Sequence, residues 1–149
     1  MANFDVALQY VLANEKGLTN NPHDSGKITK YGISLRFLKG LTREKLREYG
    51  FLALVDANLW EQIIIDLTLD QARSIYLNEF WKVAPFEKIG NQDQCTYLFD
   101  MAVNAGIAPA IKCAQRACWA VMRNRSLVDD GILGPATLQT MQQCGPLLM

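Results

Sequence analysis

The chain has 149 residues, of which 50% are hydrophobic and 20% are charged, so its length suits one domain with a sizeable core and its composition excludes a disordered chain. Basic and acidic residues number 15 each, and this zero formal charge gives no electrostatic reason to expect a nucleic acid or an anionic membrane as partner. No apolar run approaches the roughly 20 residues that a membrane-spanning helix needs.

The hydrophobic pattern predicts a mainly helical chain. A first helix is expected from Asn3, which can act as its N-cap, to Glu15, because apolar residues recur there at helical spacing. Residues 18–32 have no sustained period and are rich in turn formers, which predicts a loop with at most a short hairpin at residues 28–33. Other helices are predicted after Ser34, after Thr42, after the capping box of Thr68 and Gln71, through Cys95–Val103, from Pro109 to about Arg123, and from Pro135. The apolar segment Val55–Ile65 could be a helix or a strand, and its charged residues Asp56 and Glu61 favour the helix.

The N-terminus and the cysteines indicate where the chain is made and what it lacks. The first helix has no basic region before it and carries Asp5 inside its apolar pattern, so we expect no secretory signal and synthesis in the cytoplasm. The single histidine, His23, lies far from the cysteines, which form no CxxC pair, so no zinc site is expected. We interpret the cysteines as small core residues, and these are Cys95, Cys113, Cys118 and Cys144.

Two carboxyl groups and a hydroxyl in the first loop are the residues that indicate chemistry. Glu15 would lie at a helix end, where the partial negative charge of the macrodipole favours the protonated acid, so it could donate a proton to a glycosidic oxygen. Asp24 and Thr29 could hold the attacking water, since paired carboxyls of this kind cleave glycosidic bonds. Each residue also has an ordinary interpretation: a solvated helix end, a turn aspartate and a strand threonine.

Three ordered motifs resemble glycoside hydrolase family 108, whose members are muramidases that cleave peptidoglycan. The first reads Glu15-Lys16-Gly17, Asp24-Ser25-Gly26-Lys27 and Thr29-Lys30-Tyr31-Gly32-Ile33, with Lys16 and Lys27 at two of the family's glycine positions. The second, Phe99–Gly106, is similar to the family's Phe-Asp-x-Ala-Val-Asn-x-Gly. The third, Asp130–Thr137, is similar to a turn of the family's predicted peptidoglycan-binding region. Together they cover about residues 4–143.

The resemblance implies a mainly α, lysozyme-like helical domain, with at most a small β-hairpin near the active-site loop. Residues 1–149 would form one compact domain, with a catalytic part at 1–85 and a helical part at 86–149 that resembles a peptidoglycan-binding region. The implied reaction is hydrolysis of the β-1,4 bond between N-acetylmuramic acid and N-acetylglucosamine.

The resemblance also implies roles for single residues. Glu15 is the general acid, and by analogy with phage-type lysozymes Asp24 and Thr29 position water for an inverting reaction. A retaining reaction, with Asp24 as nucleophile, would need the carboxyls about 5 Å apart and not about 6.5–9.5 Å. Asp100 and Asn104 lie one turn apart and can share a helix face toward the substrate, although Asn104 could also be a helix C-cap. Tyr31 could stack on a sugar or fill core space.

The implied mechanism needs no metal and no organic cofactor. The expected partners are peptidoglycan glycan strands, with a holin or a secretion machinery for release to the cell wall or periplasm. Two alternatives stay open: a non-catalytic peptidoglycan-binding module of the same fold, which the two lysines motivate, and a lytic transglycosylase. The three tryptophans, Trp60, Trp81 and Trp119, are assigned to the core.

Overall fold

The computed structural model of the chain describes residues 1–14, 18–20 and 28–145. In these ranges the chain is mainly α-helical, with three short strands, which confirms the predicted fold class. The elements are α1 Phe4–Asn14, β1 Thr19–Asn20, β2 Ile28–Lys30, β3 Ile33–Ser34, α2 Leu35–Lys39, α3 Arg43–Glu48, α4 Leu52–Asp56, α5 Trp60–Asp66, α6 Leu69–Tyr76, a π-helical turn Leu77–Trp81, a 3-10 turn Phe86–Lys88, α7 Gln92–Ala105, α8 Ile107–Met122 and α9 Pro135–Cys144.

Contacts between backbone positions divide the chain into two compact units. One is Leu12–Ile75, and the other joins Met1–Val11 to Tyr76–Met149. The expectation of a single compact domain with parts 1–85 and 86–149 stays a prediction. Within the described ranges, no helix combines the length and the apolar character that crossing a bilayer requires.

The unit Leu12–Ile75 contains the small sheet and the short helices α2 to α5. The strand order is β1-β2-β3, all antiparallel, so β2 is the central strand. The predicted hairpin at residues 28–33 is therefore present, and β1 extends it to three strands. The buried apolar side chains of this unit come from the sheet and from every helix except α4: they include Ile28, Ile33, Leu38, Leu46, Ile63, Ile64 and Ile75.

Local capping bonds explain where several helices begin. Ser34 Oγ accepts a hydrogen bond from the amide of Phe37 at 3.1 Å, as the sequence predicts for an N-cap. The predicted capping box is present, because Thr68 Oγ1 accepts from the amide of Gln71 at 3.2 Å while Gln71 Oε1 accepts from the amide of Thr68 at 3.0 Å. The segment Val55–Ile65 is two helices, because the chain turns between α4 and α5 at Asn58, whose φ is 58°.

The second unit is organised around an aromatic cluster and the helices α7, α8 and α9. Phe4, Trp81, Phe86 and Phe99 form the aromatic cluster, with ring centroids 5.3–6.1 Å apart. Such tilted, stacked and edge-to-face pairs add to the stabilisation from apolar burial. The core assignment of Trp81 is confirmed by its burial, whereas Trp60 and Trp119 are half-buried.

The cysteine interpretation is correct for three of the four residues. Cys95, Cys118 and Cys144 are buried, and burial raises the pKa of Cys95 and of Cys118 to about 12. Cys113 is exposed, so its assignment to the core is wrong. It lies on α8 at a position that faces solvent, one residue before the half-buried Ala114.

Candidate functional site

Thr29 lies at the centre of the small sheet. It is the middle residue of β2 and pairs with Thr19 of β1 on one side and with Ser34 of β3 on the other. Its side chain is half-buried. The other two predicted catalytic residues, Glu15 and Asp24, lie outside the described residues. In the sequence, Glu15 directly follows Asn14, the last residue of α1, and Asp24 shortly precedes Ile28, the first residue of β2.

Tyr31 lies in a tight turn with an unfavourable backbone conformation. Lys30 pairs with Ile33, so Tyr31 and Gly32 form the whole connection between β2 and β3. Their φ angles are 52° and 78°, the pattern of a type I′ turn, which normally selects Asn, Asp or Gly. A bulky side chain at positive φ is strained, and such strain is found where a side chain has a functional task. Tyr31 is half-buried, and its role as a sugar contact stays a prediction.

Lys30 connects the hairpin to α5. Its Nζ donates a hydrogen bond to the main-chain oxygen of Ile65 at 2.7 Å, in the last turn of that helix. A cation at the end of a helix donates a hydrogen bond to a carbonyl that has no partner within the helix, and it interacts favourably with the partial negative charge there. The same Nζ lies 5.6 Å from the centroid of the Tyr31 ring. This one amine therefore holds β2 beside α5 and lies over the ring at the hairpin turn.

Asp100 and Asn104 lie on α7 one turn apart, as the sequence predicts. Asp100 is half-buried and Asn104 is exposed. Asn104 Nδ2 donates to the main-chain oxygen of Asp100 at 2.9 Å, so its amide bonds within the last turn of the helix. The C-cap of α7 is Gly106 and not Asn104. The φ of Gly106 is 96°, a value that glycine adopts readily.

The motif Asp130–Thr137 surrounds a buried glutamine of α8. Gln115 is fully buried, and its Oε1 accepts a hydrogen bond from the amide of Gly131 at 3.0 Å. Its Nε2 lies within hydrogen-bonding distance of three oxygens: Asp130 Oδ1 at 2.8 Å, Thr137 Oγ1 at 3.0 Å and Ile132 O at 3.2 Å. We call these five residues the Gln115 cluster. Both polar atoms of the buried Gln115 side chain therefore have hydrogen-bond partners, as is usual for buried polar groups.

The geometry of the Gln115 cluster explains the residue types of the motif. A Cβ on Gly131, whose φ is 77°, would lie 3.0 Å from Ala108 O and 3.2 Å from Ala108 Cβ, so only glycine fits. The hydrogen bond from Gln115 is the main reason that the pKa of Asp130 is lowered from its ordinary value. Pro135 occupies the first turn of α9, where its missing N–H costs nothing. The motif therefore has a structural role that its sequence pattern does not reveal.

A groove on the unit Leu12–Ile75 was not predicted from the sequence. Its volume is 420 Å³, which falls within the range of about 300–1,000 Å³ that is usual for small-molecule sites. Lys39 Nζ lies 5.8 Å from the centroid of the Trp60 ring in this groove. The lining comes from α2, the turn at Asn58 and α5, and consists of Leu35, Lys39, Asn58, Leu59, Trp60, Glu61, Gln62 and Ile65. The signal in the sequence was Asn58, because this residue breaks the helical segment and leaves Trp60 beside a turn.

The described ranges hold no group of three His, Cys, Asp or Glu side chains that could bind a metal ion. The charges that the sites above do contain are single lysines and carboxylates. They suit hydrogen bonding.

Comparisons with known proteins agree with these observations. The family model described as Glycosyl hydrolase 108 matches residues 8–106, a range that contains every residue assigned above to catalysis or substrate binding. SagA of Brucella abortus has a similar structure, with a TM-score of 0.69 and 23% sequence identity over 94% of this chain and 68% of that chain. This likeness agrees with the mainly α, lysozyme-like fold expected from the sequence. No curated protein sequence matches the chain significantly.

Proposed function

The chain belongs to glycosyl hydrolase family 108, a family of peptidoglycan hydrolases, and from this premise we propose that it is an N-acetylmuramidase. The bond cleaved is the β-1,4 bond between N-acetylmuramic acid and N-acetylglucosamine. The observation that carries the proposal is the family match over residues 8–106, because this range includes the acid, the second carboxyl and the hydroxyl that such a reaction requires.

Glu15 is the general acid of the proposed reaction. Its proton passes to the glycosidic oxygen as the bond from that oxygen to the anomeric carbon breaks, so the leaving sugar departs as a neutral alcohol. The position directly after α1 supports this role, since the carbonyl end of a helix disfavours a negative charge.

Asp24 and Thr29 act on the water. Asp24 accepts a proton from the water as its oxygen forms the new bond to the anomeric carbon, and the hydroxyl of Thr29 helps to hold that water. Because the water attacks the face opposite the leaving group, the product is inverted. The central place of Thr29 in a three-stranded sheet supports a fixed position for its hydroxyl, since both neighbouring strands hold its backbone.

Tyr31, Asp100 and Asn104 are the proposed contacts to the glycan. The strained turn supports this role for Tyr31, because residues held at an unfavourable φ, here 52°, cluster at active sites and ligand-binding sites. Asp100 and Asn104 offer a carboxylate and an amide from one face of α7, and such groups bind sugar hydroxyls by hydrogen bonds. The cell wall is then the place of action, and a holin or a secretion machinery would deliver the protein to it.

Digestion of purified peptidoglycan followed by mass spectrometry tests the proposed reaction. A muramidase releases fragments with reducing N-acetylmuramic acid ends, whereas a lytic transglycosylase releases 1,6-anhydro ends. A binding module, which the lysines at 16 and 27 favour, binds the wall and releases nothing. NMR of the first products separates inversion from retention, because inversion of the β bond gives the α anomer.

Single substitutions test the assigned roles. We expect Glu15→Gln to lower the rate by about 10²- to 10⁴-fold, the usual contribution of a general acid, with no change in folding. Glu48→Gln, at an exposed position of α3, is the matched control and should keep the wild-type rate. Thr29→Val removes the hydroxyl and keeps the branched shape, so it should lower the rate, while Thr29→Ser should restore part of it. Wild-type rates for Glu15→Gln would show that another group is the acid.

A further inference from the structure

We propose that the groove at Trp60 binds an uncharged saccharide unit of the glycan strand, apart from the residues assigned to catalysis. The inference rests on the proposed function for the identity of the glycan. Its evidence is the chemistry of the lining, the charge of the groove and its connection to β2.

The lining combines an apolar floor with polar groups that have spare hydrogen-bonding capacity. Leu59 and Ile65 are 51% and 41% exposed, so the groove leaves apolar surface uncovered beside the indole ring of Trp60. Within the part of the chain that the structure describes, the side chains of Asn58 and Gln62 make no hydrogen bond. A pyranose ring has the complementary character, since its C–H faces are apolar and its edges carry hydroxyls.

The charges of the groove favour a neutral ligand. Lys39 supplies one cation and Glu61 one anion, so the lining has no net charge with which to attract a phosphate polymer or an acidic peptide. The ammonium of Lys39 lies above the Trp60 ring within the range of a cation–π interaction, which orients the ring. Its remaining N–H groups can donate to hydroxyl or acetamido oxygens.

A hydrogen bond joins one wall of the groove to the sheet that carries Thr29. Ile65 lines the groove, and its main-chain oxygen accepts the hydrogen bond from Lys30, the residue that follows Thr29. The wall of the groove is thus fastened to the central strand. In the proposed arrangement a glycan strand bound at Thr29 also contacts Trp60, and this second contact adds affinity for long strands.

Titration of the full chain with chitotetraose, an uncharged β-1,4 tetramer of N-acetylglucosamine, tests the proposal. NMR should show the largest shifts in the amides of residues 58–65, and calorimetry gives the dissociation constant. We expect Trp60→Ala to weaken binding about tenfold and Leu59→Ala about threefold, because each removes apolar contact area. Leu69→Ala is the matched control for Leu59→Ala, since Leu69 is 50% exposed in the same unit and lies outside the groove.

The outcomes separate this inference from the proposed function. Trp60 is half-buried at the start of α5, so Leu59→Ala keeps the test valid if Trp60→Ala disturbs the fold. Equal binding by wild type, Leu59→Ala and Leu69→Ala, or no binding by wild type, would overturn the proposed site even if peptidoglycan is cleaved. Binding that depends on Leu59, in a protein that releases no fragments, would support the site and contradict the muramidase assignment.

Discussion

Replacing Gln115 with leucine should destabilise the protein although the two side chains have similar volumes. The substitution leaves the buried amide of Gly131 without its acceptor. It does not orphan the other members of the Gln115 cluster, because Thr137 Oγ1 still donates to Ile132 O at 3.0 Å and Asp130 Oδ1 still accepts from the amide of Ile132 at 2.9 Å. The substitution therefore removes the hydrogen bond of one buried N–H, that of Gly131, and the hydrogen bonds that Gln115 Nε2 donates.

The magnitude follows from these bonds. An orphaned buried N–H costs about 1–3 kcal/mol, and each lost hydrogen bond contributes a further 0.5–1.5 kcal/mol or so. Since leucine regains part of this through apolar burial, we expect a loss of about 2–4 kcal/mol in the free energy of unfolding. For a chain of this size the melting temperature should then fall by about 5–15 °C.

Urea and thermal unfolding followed by circular dichroism measure this change. The urea midpoint should fall while the slope of free energy against denaturant stays constant, because the area exposed on unfolding is unchanged. Gln139→Leu, at an exposed position of α9, is the matched control and should change stability by less than about 0.5 kcal/mol. A Gln115→Leu protein as stable as the wild type would refute the structural role given to the cluster.

The Gln115→Leu substitution should also change how the stability of the protein depends on pH. The folded-state pKa of Asp130 lies below its ordinary value of 3.8, mainly because of the bond from Gln115. A lowered folded pKa contributes stability above pH 3.8, and this contribution is lost as pH falls through the folded pKa. The pKa of Asp130 should rise in Gln115→Leu, and the stability difference between the two proteins should shrink below pH 3.8. NMR titration of the Asp130 carboxyl measures the shift.

Two further predictions concern Tyr31 and the cysteines. Tyr31→Asn should keep or raise the melting temperature, since asparagine relieves up to about 1 kcal/mol of strain at positive φ. The same variant should bind glycan more weakly than the wild type. A variant that melts at a lower temperature and binds glycan normally would mean that the Tyr31 ring serves folding. Iodoacetamide at pH 8 should label only Cys113 in the native protein, since the other three cysteines are buried and burial raises the pKa of Cys95 and Cys118 to about 12. After unfolding, mass spectrometry should count labels on all four cysteines. Rapid labelling of Cys95 in the native protein would contradict the structure.

The parts of the fold that were predictable from sequence depend on neighbours a few residues apart. Ser34, Thr42 and Thr68 were recognisable as caps because each bonds an amide three residues on. The apolar residues of α6 recur at helical spacing, and Ala72 and Ile75 among them are buried, whereas Leu69 is 50% exposed. Leu69 is the first residue of α6, where the helical period does not yet determine which way a side chain faces.

The candidate site was predictable only where a motif or a single helix turn carried it. Asp100 and Asn104 are four residues apart, so helical spacing alone places them together. Gln115 gave no such signal, because its partners lie 15 to 22 residues along the chain and its neighbours on α8 are mostly apolar. The groove at Trp60 likewise depends on α2 and α5 packing together. Long-range packing of this kind has no local pattern in one sequence.

The Gln115 cluster has a consequence for how related sequences evolve. Gln115 and Asp130 are hydrogen-bonded across 15 positions, and Gly131 depends on the close approach of Ala108. Relatives that keep the Asp-Gly-x-x-Gly-Pro-x-Thr turn should therefore also keep an amide side chain on the preceding helix and a small residue at its start, and they should lose these features together. Such covariation would mark the turn as an inherited folding unit, and ligand preference could then diverge without changing it.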